Sequence, residues 1–193
     1  SPNKITNINF YNDLALVLSS KKISFFQLRL KKETNLNKLI IGKKIQKICN
    51  KYKVKFLIND DPLLAKKLNA DGCHLGQKDM NLTEARKILK NKIIGVTCHN
   101  SINLAKRAIE AGADYLAFGA FYTTKTKIAK YRASLTVLKS IKKITSLPIV
   151  AIGGIKFSNY KKLLLNKANF LAISGYIWNN KKYKPLEAIK KLK

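Results

Sequence analysis

The stretch Asp114-Tyr-Leu-Ala-Phe-Gly-Ala-Phe-Tyr-Thr-Thr-Lys-Thr-Lys127 joins an apolar segment to a polar loop, and this unit decides the fold. The apolar segment, residues 114–119, has the length and composition of a buried strand. The loop carries three threonine hydroxyls and two lysine ammonium groups within five residues, which suits a phosphorylated ligand. Taken alone, the loop is more simply explained as the solvated surface of a lysine-rich protein, so the rest of the chain has to decide.

Similar apolar segments alternate with helical patterns along the whole chain. Strands are predicted at residues 23–29, 54–58, 72–75, 93–96, 114–119, 148–152 and 170–173. Helices are predicted at about residues 10–20, 36–51, 62–68, 82–90, 101–111, 134–144, 158–165 and 185–193, with Asn81 or Thr83 and Ser158 as candidate N-caps. This alternation is typical of a parallel sheet with helical crossovers.

The predicted fold class is therefore α/β, and the predicted architecture is a TIM (β/α)8 barrel formed by residues 1–193 as a single domain. The seven predicted strands are one fewer than a closed barrel needs, and the chain begins with a polar segment and no initiator methionine. We therefore expect a further strand before Ser1. An open doubly wound sheet is the alternative, although no G-x-G-x-x-G motif follows a strand.

The composition limits the classes of function. With 193 residues and 46% hydrophobic residues, the chain can form a full core. No apolar run approaches the roughly 20 residues of a membrane span, and no signal-peptide pattern opens the chain, so we expect a cytoplasmic protein. The three cysteines, Cys49, Cys73 and Cys98, fit no zinc or redox spacing and are interpreted as reduced structural thiols.

The net charge of +29 raises the question of nucleic-acid binding. Only four of the 39 basic residues are arginine, the residue on which base and phosphate recognition generally depends, so we do not predict a specific nucleic-acid partner. The lysines are spread along the helices. Such a diffuse positive charge attracts small phosphorylated molecules and binds polyanions weakly at low salt.

Polar side chains follow nearly every predicted strand, where a parallel barrel places its chemistry. In chain order they are Gln27, Arg29, Lys31, Asn59, Asp60, Asp61, His74, Gln77, Asp79, Thr97, His99, Thr124, Thr126, Lys127, Gly153, Gly154 and Ser174. Asp60 and Asp79 follow neighbouring strands and could together hold Mg²⁺; a helix cap and an ordinary loop acid are the alternatives. The glycine pair with Ser174 could bind phosphate through backbone N–H groups. His74 and His99 are more simply explained as structural residues.

Ordered blocks over nearly the whole chain carry a resemblance to a known family. They are Gln27-Leu-Arg-Leu-Lys31, Ile58-Asn-Asp60, Ala70-Asp-Gly-Cys-His-Leu-Gly-Gln-Lys-Asp79, Gly95-Val-Thr-Cys-His99, Gly112-Ala-Asp-Tyr115, Thr124-Lys-Thr-Lys127, Val150-Ala-Ile-Gly-Gly-Ile155 and Ile173-Ser174. In this order and spacing the chain resembles the thiamine-phosphate synthase (thiamine-phosphate pyrophosphorylase) family. Each block is weak alone, and the ordered set is specific.

The resemblance implies a TIM-barrel transferase that joins 4-amino-2-methyl-5-(diphosphooxymethyl)pyrimidine to a thiazole phosphate. It implies that the pyrimidine diphosphate is held by Gln27, Arg29, Lys31, Asn59 and Lys127, with Thr97 nearby, and that the catalytic cations are Arg29, Lys31 and Lys127. It implies Asp60 and Asp79 as ligands of Mg²⁺. It implies a thiazole-phosphate site made of Thr124, Thr126, Gly154, Ile173 and Ser174.

The implied chemistry needs no protein nucleophile, which agrees with the lack of a recognisable catalytic triad. Diphosphate is a good leaving group once cations neutralise its charge, and the aminopyrimidine can release electrons into its methylene group. Positioning of two substrates and exclusion of water supply most of the rest. We expect residues 123–132 to act as a lid. Whether the protein is a homo-oligomer stays open.

The chain departs from the family pattern at several positions. Leu30 replaces a usual Glu, Asp61 a frequent Arg, and Thr97 a usual Ser, while residues 119–124 lack two family prolines and Ser174-Gly-Tyr176 replaces Ser-Ala-Ile. Two other functions are weighed: a related thiazole tautomerase barrel, and a non-enzymatic polyanion-binding protein. The tautomerase gives no reason to keep Gln27, Arg29, Lys31, Asp60 and Asp79 together. Polyanion binding would not depend on the two aspartates and would be lost at high salt.

Overall fold

The computed structural model describes residues 1–5, 8–124 and 131–192. Within these residues, seven strands form one parallel sheet in the order β1 to β7. Their bounds are β1 Phe25–Leu28, β2 Lys55–Asn59, β3 Gly72–Leu75, β4 Ile93–His99, β5 Tyr115–Phe118, β6 Ile149–Ile152 and β7 Phe170–Ala172. Each strand pairs with the strands before and after it in the chain, so there is no reversal of strand order. The doubly wound alternative, which requires such a reversal, is therefore wrong.

Helices follow the strands as crossovers, as predicted. Their bounds are α1 Asn9–Ser19, α2 Asn35–Lys51, α3 Pro62–Lys67, α4 Leu82–Leu89, α5 Ile102–Glu110, α6 Leu135–Lys142, α7 Tyr160–Leu165, α8 Gly175–Trp178 and α9 Pro185–Lys191. The sequence did not predict α8, because four residues are too few to show a helical period. None of the described helices combines the length and apolarity needed to cross a bilayer.

The structure shows which of the candidate residues cap their helices. Asn81 caps α4 by accepting from the Glu84 N–H at 2.9 Å, so Thr83 is not the cap. Ser158 does not cap α7, which begins after Asn159 without a side-chain cap. Asp60 is not a helix cap either, since Asp61 takes that role in α3 and accepts from the Leu64 N–H. The cap alternative for Asp60 is therefore wrong, and its carboxylate is available for another purpose.

The hydrophobic core lies between the sheet and the helices and forms one cluster of buried side chains. Strand β3 is buried at all four residues, and the largest fully buried side chains come from strands and helices alike, among them Phe56, Phe118 and Leu138. The three cysteines are buried and free of disulfides, as predicted. Removal of this apolar surface from water stabilises the packing of the helices on the sheet.

The two edge strands of the curled sheet approach each other. The rings of Phe25 in β1 and Phe170 in β7 meet edge to face, with centroids 5.6 Å apart. Ser1 lies between the same strands at their other end: its backbone nitrogen donates to the Gln27 carbonyl at 2.8 Å, and its carbonyl accepts from the Ser174 hydroxyl at 2.8 Å. The N–H of Arg29 donates to the Ser1 hydroxyl. The seven strands therefore form a curled, TIM-like half-barrel whose edges are bridged by Ser1.

Candidate active site

The parallel register brings the predicted site residues together at the carboxyl edge of the sheet. Gln27 pairs with Leu57, and Asn59 pairs with His74, so the polar ends of β1, β2 and β3 are neighbours. The Gln27 side chain donates from Nε2 to Asn59 Oδ1 at 2.8 Å. This bond holds the two side-chain amides next to each other. The prediction that both residues bind one substrate requires such an arrangement. Arg29 is close to the same edge, where its Nη1 reaches Asn3 Oδ1 at 3.4 Å.

Two carboxylates meet at this edge beside a lysine. Asp60 adopts the left-handed backbone conformation, with φ +67°, immediately after β2. Its N–H donates to the His74 carbonyl at 2.8 Å, which secures this conformation. Its Oδ2 lies 2.8 Å from Lys31 Nζ. The carboxylate of Asp79 lies close enough to that of Asp60 for each to affect the pKa of the other.

Asp79 is held by the loop that follows β3. Its Oδ2 accepts from the Gly76 N–H at 2.7 Å. Burial and the neighbouring Asp60 carboxylate raise the pKa of Asp79. Burial acts in the same direction on Asp60, but the Lys31 ammonium holds the pKa of Asp60 below its usual value. The surroundings therefore favour the ionised form of Asp60 more than that of Asp79.

This pair satisfies the donor requirements of Mg²⁺. The ion prefers one or two carboxylates together with substrate phosphates and water, and does not need a cage of protein ligands. The described residues contain no cluster of three or more His, Cys, Asp or Glu side chains. A cation bound between the two carboxylates would relieve the repulsion between their negative charges. The chemistry of the donor set therefore fits Mg²⁺.

A buried histidine supports Thr97 from below. His74 is 8% exposed and lies between the Tyr115 hydroxyl, 2.8 Å from Nδ1, and Thr97 Oγ1, 2.8 Å from Nε2. The Tyr115 ring lies on Gly95, where a Cβ atom would come within 1.9 Å of it. Gln77 Nε2 donates to the Thr97 carbonyl at 2.6 Å. Thr97 is thus fixed through both its hydroxyl and its backbone.

The other histidine has a different setting. His99 ends β4 in the left-handed conformation, with φ +53°, at a shift in the register with β5. Its ring packs against Tyr131 with centroids 4.4 Å apart. Both histidines thus pack within the fold as the sequence indicated. The sequence did not identify Tyr115, because it lies in an apolar strand where an aromatic residue is ordinary.

The opposite side of the edge is built from backbone and hydroxyl groups. The N–H groups of Phe121 and Tyr122 donate to the carbonyls of Ile152 and Gly153, both at 3.1 Å, so the loop after β5 runs along the end of β6. Gly154 has φ +66°, and a Cβ atom there would lie 2.4 Å from the Thr123 carbonyl oxygen. Only glycine allows this close approach.

The remaining predicted residues on this side are distributed as follows. Ser174 is the second residue after β7, and its hydroxyl donates to the Ser1 carbonyl. Ile173 is half-buried beside it, and Thr124 follows the loop segment that contacts Gly154. The predicted residues Thr126 and Lys127 lie outside the described residues, as does most of the expected lid at residues 123–132.

Comparison with known proteins places this geometry in a family. A sequence model described as thiamine monophosphate synthase matches residues 2–177. The chain belongs to the thiamine monophosphate synthase family. The thiamine-phosphate synthase of Pelagibacter ubique (strain HTCC1062) is 92% identical over 193 residues, which are all of this chain and 93% of that protein.

More distant members of the family agree. The thiamine-phosphate synthase of Nitrosomonas eutropha (strain DSM 101675 / C91 / Nm57) is 38% identical over 176 residues, 91% of this chain and 83% of that protein. The solved structure of thiamine phosphate pyrophosphorylase from Pyrococcus furiosus superposes with a TM-score of 0.83 at 27% identity, and covers 94% of this chain and 86% of that one. The sequence-based prediction of a thiamine-phosphate synthase, a transferase, is confirmed.

Proposed function

We propose that the chain joins 4-amino-2-methyl-5-(diphosphooxymethyl)pyrimidine to a thiazole phosphate and releases thiamine phosphate and diphosphate. The observation that carries this proposal is the cluster of Lys31, Asp60 and Asp79 at the carboxyl edge of β1–β3, in a chain of this family. A cation and two carboxylates at adjacent strand ends suit a diphosphate with its counter-ion. A thiazole tautomerase has no use for this cluster.

The pyrimidine diphosphate binds along the ends of β1 and β2. The paired amides of Gln27 and Asn59 offer donors and acceptors for the aminopyrimidine. Arg29 and Lys31 contribute positive charge for the diphosphate, and Lys127 adds a third cation. Thr97, fixed by His74 and Gln77, presents its hydroxyl nearby.

Asp60 and Asp79 hold Mg²⁺ in this proposal. When bound, Mg²⁺ supplies positive charge that stabilises the departing diphosphate. Lys31, 2.8 Å from Asp60 Oδ2, favours the ionised form of that carboxylate, which is the form that would bind the metal. The left-handed backbone of Asp60 and the Gly76 N–H bond of Asp79 hold both carboxylates in place before any ligand binds.

The bond changes balance without a protein nucleophile. The bond between the pyrimidine methylene and the diphosphate oxygen breaks with both electrons on diphosphate. The electron-rich aminopyrimidine stabilises the cationic methylene, and the thiazole nitrogen then donates its lone pair to form the new C–N bond. Arg29, Lys31 and Lys127 stabilise the leaving anion, while the remaining contacts align the reactants and exclude water.

The thiazole phosphate binds on the side of β5–β7. The backbone at Gly154 can approach the phosphate closely because glycine has no Cβ atom there. The hydroxyl of Ser174 and the backbone of Ile173 come from the next strand end, and Thr124 and Thr126 come from the loop after β5. Each group is uncharged, so the phosphate is recognised by hydrogen bonds as well as by nearby cations.

We also propose that the half-barrel closes into the eight-stranded barrel expected from the sequence, with a strand that leads into Ser1 between β7 and β1. The hydrogen bonds of Ser1 to both edges support this closure, as does the contact of Phe25 with Phe170. Addition of a strand-forming segment before Ser1 should then raise the melting temperature, and an unchanged or lower value would contradict closure. The cytoplasmic location, the single domain and a homo-oligomer remain predictions.

The test of the proposed reaction is product formation with each substrate alone and with both. Thiamine phosphate and diphosphate should appear in equal amounts only when the pyrimidine diphosphate, the thiazole phosphate and Mg²⁺ are all present. Interconversion of thiazole isomers without the pyrimidine would support the tautomerase instead. No product from a folded protein would overturn the proposal.

A further inference from the structure

Arg132 lies beside the loop that leaves β5. Its guanidinium donates from Nη2 to Thr123 Oγ1 at 2.8 Å. Its chain neighbours are pinned to the same loop: the Ala120 N–H donates to the Tyr131 carbonyl at 3.2 Å, and the Ala133 N–H donates to the Ala120 carbonyl at 3.0 Å. The position of Arg132 is therefore set from both sides by backbone hydrogen bonds.

The residue that anchors Arg132 also touches the glycine pair after β6. The Tyr122 N–H donates to the Gly153 carbonyl at 3.1 Å, and the Thr123 carbonyl lies 2.4 Å from where a Cβ atom of Gly154 would be. Thr123 thus contacts Gly154 with its backbone and Arg132 with its hydroxyl. Thr123 therefore connects the Arg132 guanidinium to the Gly154 backbone that we assign to the thiazole phosphate.

The charge of Arg132 is not balanced by this contact. A hydroxyl accepts one N–H but does not neutralise a cation. Residues 115–186 contain fourteen lysine and arginine residues and no Asp or Glu. The ion pairs found among the described residues join Lys31 to Asp60, Lys55 to Asp71 and Arg86 to Asp114, and none includes Arg132. An anion from outside the chain is the chemically fitting partner.

We propose that Arg132 is a specificity-determining residue that binds the phosphate group of the thiazole substrate. The planar guanidinium can donate to two phosphate oxygens at once, a geometry that lysine cannot reproduce. The bond to Thr123 uses one of the five guanidinium N–H donors and restrains the side chain. The proposal rests on the proposed function, because it takes the thiazole phosphate as the ligand.

The experiment compares the thiazole phosphate with its unphosphorylated alcohol as substrates of the wild type and of R132Q. The variant should lower kcat/KM for the thiazole phosphate by roughly tenfold or more, since it removes charge-assisted hydrogen bonds. The value for the thiazole alcohol and the KM for the pyrimidine diphosphate should stay within about twofold. R132K should recover part of the loss, because it restores the charge but not the fork.

Two further variants separate recognition from a structural role. Lys143→Gln removes an exposed positive charge from the same acid-free stretch at the far end of α6, and should leave the preference for the phosphorylated substrate unchanged. Thr123→Val removes the anchor of Arg132 and should reduce the preference less than R132Q does. If R132Q lowers kcat/KM equally for the thiazole phosphate and for the thiazole alcohol, Arg132 only shapes the loop. That result would overturn the proposal.

Direct titration keeps this test separate from the proposed reaction. Calorimetry of thiazole phosphate binding to the wild type and to R132Q needs no turnover. A wild type that makes no thiamine phosphate but binds thiazole phosphate through Arg132 would contradict the reaction alone. A wild type that makes product, with R132Q binding thiazole phosphate equally well, would overturn the role of Arg132 alone.

Discussion

The two sides of the carboxyl edge are built from different chemistry. At the ends of β1–β3, ionised groups are already paired before any ligand binds, as the contacts of Lys31, Asp60 and Asp79 show. At the ends of β5–β7, residues 115–186 contain no acid at all, and the contacts are made by backbone, hydroxyls and Arg132. The first side suits an anion that arrives with a metal ion, and the second suits an anion that arrives without one.

The largest expected effect on turnover comes from a substitution at the ends of β1–β3, where Asp60 and Asp79 lie. Asp79→Asn keeps an oxygen that can accept from the Gly76 N–H but removes the charge that we assign to Mg²⁺. Turnover should fall by at least roughly 100-fold, because a charge-stabilising contact to the leaving group is lost. Initial rates measured across a series of Mg²⁺ concentrations provide the test. The melting temperature should change little.

Glu110→Gln is the matched control for this variant. It removes one negative charge from the exposed end of α5, far from the carboxyl edge. Its rate should equal that of the wild type. If Asp79→Asn behaves like this control, the acidic side does not hold a functional metal. If both variants bind polyanions more tightly and neither they nor the wild type form product, the protein is a non-enzymatic polyanion-binding protein.

A smaller effect, selective for the thiazole phosphate, is expected from a substitution at the ends of β5–β7. Gly154→Ala places a Cβ atom 2.4 Å from the Thr123 carbonyl at φ +66°. We expect a loss of about 1–3 kcal/mol in the free energy of unfolding, and a rise in KM for the thiazole phosphate with little change for the pyrimidine diphosphate. Denaturant unfolding and two-substrate kinetics measure both quantities.

Gly112→Ala is the control that separates the effect of backbone strain from the effect of a clash at the site. Gly112 also has positive φ, +86°, but nothing lies within 4 Å of the Cβ position. This variant should lose about 1 kcal/mol of unfolding free energy from strain alone and keep both KM values. A rise in KM for the thiazole phosphate in both glycine variants would mean that loss of stability, and not the local clash, weakens binding.

Loss of the hydrogen bond between Tyr115 and His74, the residue that contacts Thr97, should have a moderate effect on stability and on kcat. Tyr115→Phe keeps the ring over Gly95 and removes the hydroxyl 2.8 Å from His74 Nδ1. Loss of one buried hydrogen bond should reduce the free energy of unfolding by about 1–3 kcal/mol. We expect kcat to fall several-fold because His74 no longer fixes the Thr97 hydroxyl. An unchanged kcat in a destabilised variant would limit Tyr115 to a structural role.

The smallest expected effect is at Thr97 itself. Thr97→Ser installs the residue that the family pattern usually has and keeps the hydroxyl that contacts His74 Nε2. Catalytic efficiency should stay within about threefold of the wild type, because the polar group is retained. Thr97→Val keeps the shape of the side chain and removes the hydroxyl, so it should lower catalytic efficiency more than Thr97→Ser does. Equal efficiency in both variants would show that the hydroxyl is dispensable.

Much of the fold follows from the sequence because its signals are local. Short apolar runs separated by helical patterns predicted all seven strands, and the consecutive order followed from parallel pairing of neighbours. The meeting of Asp60 with Asp79 was predictable for the same reason, since the carboxyl ends of adjacent parallel strands lie side by side. Strand β4 was predicted too short, because Thr97 and His99 are polar and resemble loop residues.

Other parts of the site could not be read from the sequence. Tyr115 belongs to an apolar strand by composition, and only the register places its hydroxyl next to His74. Arg132 is 22 residues from Gly154 in the chain, and its position depends on the loop path from Ala120 to Thr123. The closing contacts of Ser1 join residues as far apart as Ser174. Each depends on tertiary contacts that no local pattern encodes.

The most direct test of the account is the metal dependence of product formation by the wild-type protein. The protein is treated with EDTA, passed into metal-free buffer, and supplied with both substrates before and after addition of Mg²⁺. We predict that thiamine phosphate and diphosphate form only after Mg²⁺ is restored. Product formation at the same rate without metal, or none after its return to a folded protein, would contradict the assignment of Asp60 and Asp79.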